Sequence, residues 1–207
     1  MTTQVTREDI AAFLNGAHSE TLSEYLGQTQ VRDVDLSGLH FADTSLADME
    51  FIDVNFDATV FHNVALTQAT FFNVGFELTM WRNVDCRGAQ ITDTNFTQAQ
   101  ICNTDFRSAH LRYVDFDSAL LTGINAEYTS FDEVEFNDAR CDYLKASYAK
   151  LKGINFSNTV VSDANFSEAE LKAVDFVHAQ LTDTNLDNVL IKSVNFYKSA
   201  LLCTIEK

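Results

Sequence analysis

Large apolar residues return at every fifth position over most of the chain. The unbroken segment ITDTNFTQAQICNTDFRSAH, which begins at Ile91, shows this spacing clearly. The residue two places before each large residue is small or β-branched, and the other three places are mostly polar. A helix repeats its apolar face about every 3.6 residues and a strand every second residue, so neither element explains a period of five. The frame runs without insertion from Leu36 to Leu201, which is typical of a solenoid.

These units resemble those of the pentapeptide-repeat family, whose consensus is roughly A(D/N)LXX. The consensus is represented here by VDF, ANF, TNF and VNF. The resemblance covers about residues 31–202 and implies an all-β fold, a right-handed quadrilateral parallel β-helix with four pentapeptides in each coil. In that fold the large centre residue and the small residue two places before it both point into the core.

Four units per coil predict a second period of twenty residues, and the sequence contains one. Every twentieth residue from Leu36 onward is a phenylalanine. The residues two places before this Phe column are nearly all β-branched, whereas two of the other columns carry mostly small residues at that site. Large side chains therefore face large ones, which fills a rectangular interior at native density. The core is expected to be thinner at Ala126 and Ala146, where alanine replaces the large centre residue. The Phe column consists of Phe56, Phe76, Phe96, Phe116, Phe136, Phe156, Phe176 and Phe196.

Residues 1–30 lie outside the repeat and predict a short N-terminal α-helical cap. Thr6 is a suitable N-cap residue, and Ile10, Phe13 and Leu14 follow it at helical spacing. A cap is needed because the open end of a β-helix exposes core side chains and unpaired strand edges. We therefore divide the chain into a helical cap (1–30), a β-helix (31–202) and a C-terminal tail (203–207).

The C-terminal tail is too short to form a second helical cap. Leu201, Leu202 and Ile205 make this end of the chain apolar. An open apolar end favours contact with another copy, so we hypothesise an end-to-end homodimer through these three residues.

The net charge of the chain indicates which class of partner it binds. Thirty acidic residues stand against fourteen basic ones, for a formal net charge of −16. This charge disfavours direct binding to nucleic acid or an anionic membrane and favours a partner protein with a basic surface. No apolar run reaches the roughly 20 residues that a membrane span needs. The four cysteines form no CxxC pair, which favours reduced thiols in the cytoplasm.

The sequence offers no catalytic motif. It has no P-loop, no glycine-rich phosphate cradle and no nucleophile elbow. The five histidines fall on different coils without the spacing of metal ligands. We therefore expect neither an enzyme nor a cofactor or metal site, and function must depend on outward-facing residues.

One outward surface is strongly acidic. The side of the coil that contains the Phe column carries eight acids against one base, Lys198. The quinolone-resistance members of the family, the Qnr and MfpA type, are similar to B-form DNA in width and charge and bind type II topoisomerases. The resemblance thus implies a DNA-mimicking rod that binds DNA gyrase or topoisomerase IV, although this frame has neither the projecting loops nor the C-terminal dimerisation helix of the Qnr type. The eight acids, called the acidic face below, are Asp35, Asp57, Glu77, Asp115, Asp117, Glu135, Asp138 and Asp175.

A second outward surface supports the alternative of a scaffold or effector-type protein-binding module. Its residues are apolar or aromatic where polar ones are expected, and exposed apolar stripes often mark contact surfaces. The alternative without a binding partner is that these side chains pack on one another along a β ladder. Salt distinguishes the two hypotheses, because screening weakens charge-led binding far more than apolar contact. The apolar stripe comprises Val60, Met80, Leu120 and Val160, and the tyrosines are Tyr113, Tyr128, Tyr143 and Tyr148.

Overall fold

The structure, a computed structural model, describes residues 4–16 and 20–204. Within these ranges two helices, α1 (Arg7–Asn15) and α2 (Leu22–Leu26), precede eighteen short strands. The strands are β1 (Gln30–Arg32), β2 (His40–Ala42), β3 (Glu50–Ile52), β4 (Val60–His62), β5 (Thr70–Gly75), β6 (Met80–Arg82), β7 (Gln90–Asn95), β8 (Gln100–Cys102), β9 (His110–Asp115), β10 (Leu120–Thr122), β11 (Ser130–Glu135), β12 (Arg140–Asp142), β13 (Lys150–Asn155), β14 (Val160–Ser162), β15 (Glu170–Asp175), β16 (Gln180–Asn185), β17 (Leu190–Asn195) and β18 (Ala200–Thr204).

The strands form two parallel sheets of nine strands each, on opposite sides of the solenoid. The odd-numbered strands make one sheet (sheet A) and the even-numbered strands make the other (sheet B). Every strand pairs with the strand twenty residues later, as in the pairing of Phe41 with Phe61. On the remaining two sides, isolated bridges such as Asp35 to Asn55 join successive coils. The predicted β-solenoid with four sides and a twenty-residue coil is confirmed.

The Phe column forms a continuous aromatic stack along the core. Each ring from Phe56 to Phe196 lies nearly parallel to the next, with centroids between 4.7 and 5.2 Å apart. This separation matches the spacing of about 4.8 Å between neighbouring strands, so the ladder hydrogen bonds and the ring stacking have a common period. Trp81 packs edge-on against Phe76 and Phe96.

Each side of the coil ends in a residue with a left-handed backbone, two places after the large centre residue. Thirty non-glycine residues have positive φ at this position, and Gly38, Gly88, Gly123 and Gly153 take it in other coils. The left-handed region disfavours ordinary side chains by about 1–2 kcal/mol per residue. The ladder offsets this cost, because the corner N–H donates to a carbonyl of the next coil, as from Ala58 to Glu77 at 2.8 Å.

Helix α1 is capped at its N-terminus by Thr6, as the sequence predicts. The Thr6 hydroxyl accepts a hydrogen bond from the N–H of Asp9, whose carboxylate accepts from the N–H of Thr6 in turn. Arg7 fastens α1 to the first coil, since its guanidinium donates to the carbonyls of Asp35 and Ser37 at 3.0 and 2.8 Å.

The core is thin where the sequence predicts it to be. Ala126 and Ala146 are buried at centre positions, and an apolar cavity of about 20 Å³ lies beside Ala146. Leu144 and Ile124 also border this cavity from the inward positions two places before the alanines. An apolar cavity of this size forfeits packing contacts and stays dry.

Filling this cavity is expected to stabilise the protein. The Ala146→Val substitution adds two methyl groups beside the void and should raise the free energy of unfolding by about 0.5–1 kcal/mol. Ala149→Val provides a matched control, because Ala149 is equally buried but does not border the cavity. Overpacking there should destabilise by about 1–3 kcal/mol. Urea unfolding measures both variants, and equal destabilisation of the two would contradict the prediction.

Candidate protein-binding surfaces

The acidic face is not uniformly charged along the rod. Asp115, Asp117, Glu135 and Asp138 occupy two successive coils, and Asp115 lies directly opposite Glu135 in the parallel register. The backbones of Asp115 and Glu135 are therefore separated by roughly one strand spacing of about 4.8 Å. These four acids of two successive coils are called the four-acid cluster below. The other members of the face are distributed over other coils.

Several acids of the acidic face also stabilise the coil. The carboxylates of Asp35 and Asp115 accept hydrogen bonds from the N–H two residues further along, at 2.9 and 2.7 Å. Asp57 and Asp117 reach the next coil, where each accepts a backbone N–H at 2.8 Å. Short polar side chains that bind the backbone two residues on are typical of turns. Glu135 and Asp138 are exposed and accept no backbone hydrogen bond in the described part of the chain.

The stack of asparagines on this side has the same turn-stabilising role. The side-chain oxygens of Asn55, Asn95, Asn155 and Asn195 each accept the N–H two residues on, at distances from 2.7 to 3.1 Å. These asparagines therefore have a structural role in the turns. Asp115 replaces asparagine in this column, which explains how a charge is accommodated there.

The four-acid cluster is electrostatically unfavourable. Partial burial raises the pKa of the Asp117 carboxyl, and the negative charges of Asp115 and Glu135 raise it further. Hydrogen bonds from Asn137 act in the opposite direction. Among the described residues, the ion pairs of the protein involve other acids, such as Asp85 with Arg87 and Asp105 with Arg107. No member of the acidic face therefore forms an ion pair in the part of the chain that the structure describes.

Neutralising Asp117 is expected to stabilise the free protein. Asp117→Asn keeps an oxygen that can accept the N–H of Asn137 but removes one of the crowded charges. In the folded wild type, the pKa of Asp117 is raised above its ordinary value of 3.8. The charge of Asp117 therefore costs no stability below pH 3.8, and the cost develops as the pH rises through the raised pKa. The variant should be more stable by roughly 0.5 kcal/mol at pH 7 and equal to wild type near pH 3. Thermal unfolding at the two pH values measures this, and a pH-independent difference would contradict it.

The alternative surface is divided by the structure. Met80 and Leu120 are 49% and 41% exposed, and Val60 lies opposite Met80 on sheet B. Gln100 separates Met80 from Leu120, and Arg140 separates Leu120 from Val160, so the apolar stripe is continuous only over its first two members.

The four tyrosines are exposed but do not join the apolar stripe. All of them occupy left-handed corner positions. Tyr113 belongs to β9 of sheet A, whereas Tyr143 directly follows β12 of sheet B, so they lie on different sides of the rod. Tyr128 and Tyr148 stack on each other with ring centroids 5.1 Å apart. The fold therefore separates Tyr113 from Tyr143 but brings Tyr128 and Tyr148 into contact.

The C-terminal end of the solenoid exposes residues that earlier coils bury. Ile191 and Leu201 are 56% and 47% exposed, whereas Leu171 and Leu181, one coil earlier, are fully buried. Leu202 is also exposed. Ile205, the third residue of the hypothesised dimer contact, lies outside the described residues.

Neither metal-binding clusters nor membrane-spanning helices are found in the described ranges. No three His, Cys, Asp or Glu side chains in residues 4–16 and 20–204 are placed to hold a metal ion. In the same ranges, neither helix has the length and apolar character to cross a bilayer.

Comparisons with known proteins agree with the repeat architecture. A family model described as pentapeptide repeats matches residues 79–107, 85–123 and 149–188. A trypsin-treated form of QnrB1, a plasmid-mediated fluoroquinolone resistance protein, is 20% identical with a TM-score of 0.60, over 80% of this chain and 79% of that one. HetL, a pentapeptide repeat protein involved in heterocyst differentiation regulation in the cyanobacterium Nostoc, is 17% identical with a TM-score of 0.40, over 83% and 84% of the two chains. A search of curated proteins gives no match.

Proposed function

This chain belongs to the pentapeptide-repeat family, and on that basis we propose that it is a non-enzymatic interaction protein of the cytoplasm. Its acidic face, like the backbone of DNA, occupies a basic groove on a DNA-binding protein. DNA gyrase and topoisomerase IV are the partners that we propose first. The core of the coil is used for packing, which leaves outward residues to recognise the partner.

The observation that carries this proposal is the four-acid cluster. Four acids lie in two successive coils, without an ion pair in the described residues. Partial burial raises the pKa of Asp117, and the negative charges of Asp115 and Glu135 raise it further. Lysine and arginine side chains from a partner would relieve that repulsion. Electrostatic complementarity of this kind increases the association rate and selects basic partners.

The dimensions of the rod suit a groove that binds duplex DNA. Leu36 and the eight residues of the Phe column mark nine successive coils. A rise of about 4.8 Å per coil gives a rod roughly 40 Å long. One turn of B-form DNA is about 34–36 Å long. The rod therefore matches roughly one turn of the duplex.

The fold likeness guides the choice of partner. QnrB1 is a fluoroquinolone resistance protein, and its fold is similar to that of this chain. The topoisomerases that fluoroquinolones inhibit are therefore the first partners to test. The sequence identity of 20% supports the shared fold, and the partner remains part of the proposal.

We include an end-to-end homodimer in the proposal. Ile191, Leu201 and Leu202 form an exposed apolar end, and pairing two copies would bury it. Such a dimer would double the length of the acidic rod. Sedimentation that gives the mass of one chain at micromolar concentration would contradict the dimer without affecting the acidic face.

A gyrase supercoiling assay tests the proposed function. The purified protein is added in increasing amounts, with and without a fluoroquinolone, across a series of salt concentrations. We expect inhibition of supercoiling or protection from the drug, and the effect should fade as salt screens the charges. No effect on gyrase or topoisomerase IV at large protein excess would overturn these partners.

A further inference from the structure

A trough runs along sheet B, parallel to the rod axis, on a different side from the acidic face. It encloses about 330 Å³ and lies over the backbone of the buried residues Phe61 and Trp81. Each strand contributes the outward residues on either side of its buried centre, so the trough has two walls. One wall contains His40, Val60, Met80 and Gln100, and the other contains His62, Arg82 and Cys102.

The charge of the trough is opposite to that of the protein. No carboxylate lines it, although the chain has thirty acidic residues. Arg82 is exposed and forms no ion pair within the described ranges. His62 lies directly beside it in the neighbouring strand of the parallel register. The wall with Arg82 is therefore suited to carboxylates of a partner.

The centre of the opposite wall is apolar, with the polar residues His40 and Gln100 at its two ends. Met80 exposes 49% of its surface, and Val60 is its partner in the register. Methionine is adaptable in shape and is common on surfaces that bind helices. The trough thus combines one apolar and one basic wall.

The spacing of the coils favours a helix as the occupant. Successive side chains along each wall are about 4.8 Å apart, and a helix advances about 5.4 Å per turn. The helix turns and the coils of the trough therefore differ in spacing by about 0.6 Å per coil. Over three turns, the side chains of the helix stay within about 2 Å of those of the trough. An extended strand repeats its side chains every 6.6 Å or so and loses register after one coil.

From these observations we propose that the trough binds an amphipathic helix of a partner protein. The apolar stripe of the helix packs on Val60 and Met80, and its flanking carboxylates pair with Arg82 and His62. This surface is separate from the acidic face, and its chemistry is complementary to a partner of opposite charge. The protein would then hold two different partners, or two parts of one partner, on two sides of the rod.

Binding of designed peptides tests this proposal. The probe is a fluorescently labelled peptide of about 15 residues, four helical turns, with leucine at every third or fourth position and glutamate on the flanks. Two control peptides have the same length, one with lysine in place of glutamate and one with the same composition in scrambled order. Fluorescence anisotropy at moderate salt should give the tightest binding for the acidic amphipathic helix, by about tenfold or more over each control.

Variants of the trough locate the binding site. Met80→Glu and Arg82→Glu should each weaken binding of the acidic helix by about tenfold or more. Leu78→Glu is the matched control, because Leu78 is 54% exposed and close in sequence but does not line the trough. It should bind as the wild type does. Circular dichroism checks that each variant is folded, and Arg82→Glu, an exposed polar change, keeps the test valid if Met80→Glu unfolds.

Cys102 provides an independent readout in the unmodified protein. This residue is partly exposed in the trough, whereas Cys86 and Cys141 are buried. The acidic helix should slow alkylation of Cys102, as measured by peptide mass mapping. Equal binding of all three peptides, unprotected Cys102, or binding unchanged in both trough variants would overturn the proposal. The proposal would also be overturned if the protein forms a dimer that Met80→Glu dissociates. A second copy of the chain would then be the occupant of the trough.

Discussion

Replacing Phe96 by alanine is expected to lower the free energy of unfolding by about 4 kcal/mol. The Phe96 ring is fully buried and lies between Phe76 and Phe116, with centroid distances of 4.7 and 4.9 Å, and Trp81 packs on its edge. The coils above and below are fixed at one strand spacing by the ladder hydrogen bonds. They cannot collapse into the space that the ring leaves, so the cavity persists.

Urea unfolding followed by the fluorescence of Trp81, the one tryptophan of the chain, measures this loss. Phe72→Ala is the matched control, because Phe72 is 46% exposed on sheet A. We expect it to lower stability by less than about 1 kcal/mol. Equal losses in the two variants would show that the aromatic stack does not hold successive coils together.

Reversing two charges of the four-acid cluster is expected to weaken association with gyrase by about tenfold or more. The substitutions are Glu135→Lys and Asp138→Lys, introduced together. Both residues are exposed, and neither accepts a backbone hydrogen bond in the described part of the chain. Asp115 and Asp117 are less suitable, because reversal there would also remove turn hydrogen bonds. Binding is measured by biolayer interferometry with immobilised gyrase.

The control for this prediction changes the same amount of charge elsewhere. Asp163→Lys and Asp183→Lys reverse two exposed acids at left-handed corners on another side of the rod. If net charge alone determined binding, both double variants would lose the same affinity. The proposal requires the loss to be specific for Glu135 and Asp138, with unchanged unfolding midpoints in both double variants.

The main features of the fold could be predicted from the sequence because two periods specify them. The five-residue period gives one inward centre per side, and the twenty-residue period gives the register of the strands. The thin core could be predicted because alanine takes the place of a large centre residue at Ala126 and Ala146. Thr6 likewise identified the start of α1, since capping depends on residues that are close in sequence.

The outward surface was harder to predict, because the polar positions of each unit follow no single rule. Asp57 and Asp117 are acids in the sequence, but only the structure shows that they bind the backbone of the next coil. The tyrosines are close in sequence, yet the corners of the coil place Tyr113 and Tyr143 on different sides of the rod. The trough was not predicted either, because it combines outward residues from both sides of a buried centre, such as Met80 and Arg82 on either side of Trp81.

Competition with DNA for gyrase tests the central proposal most directly. A labelled DNA duplex is bound to gyrase, and the unlabelled protein is added while the anisotropy of the duplex is followed. The account predicts that the wild type displaces the duplex, that raising the salt weakens the displacement, and that the Glu135→Lys, Asp138→Lys variant displaces little. Gyrase that binds the protein and the duplex at the same time, with no displacement at saturation, would contradict DNA mimicry.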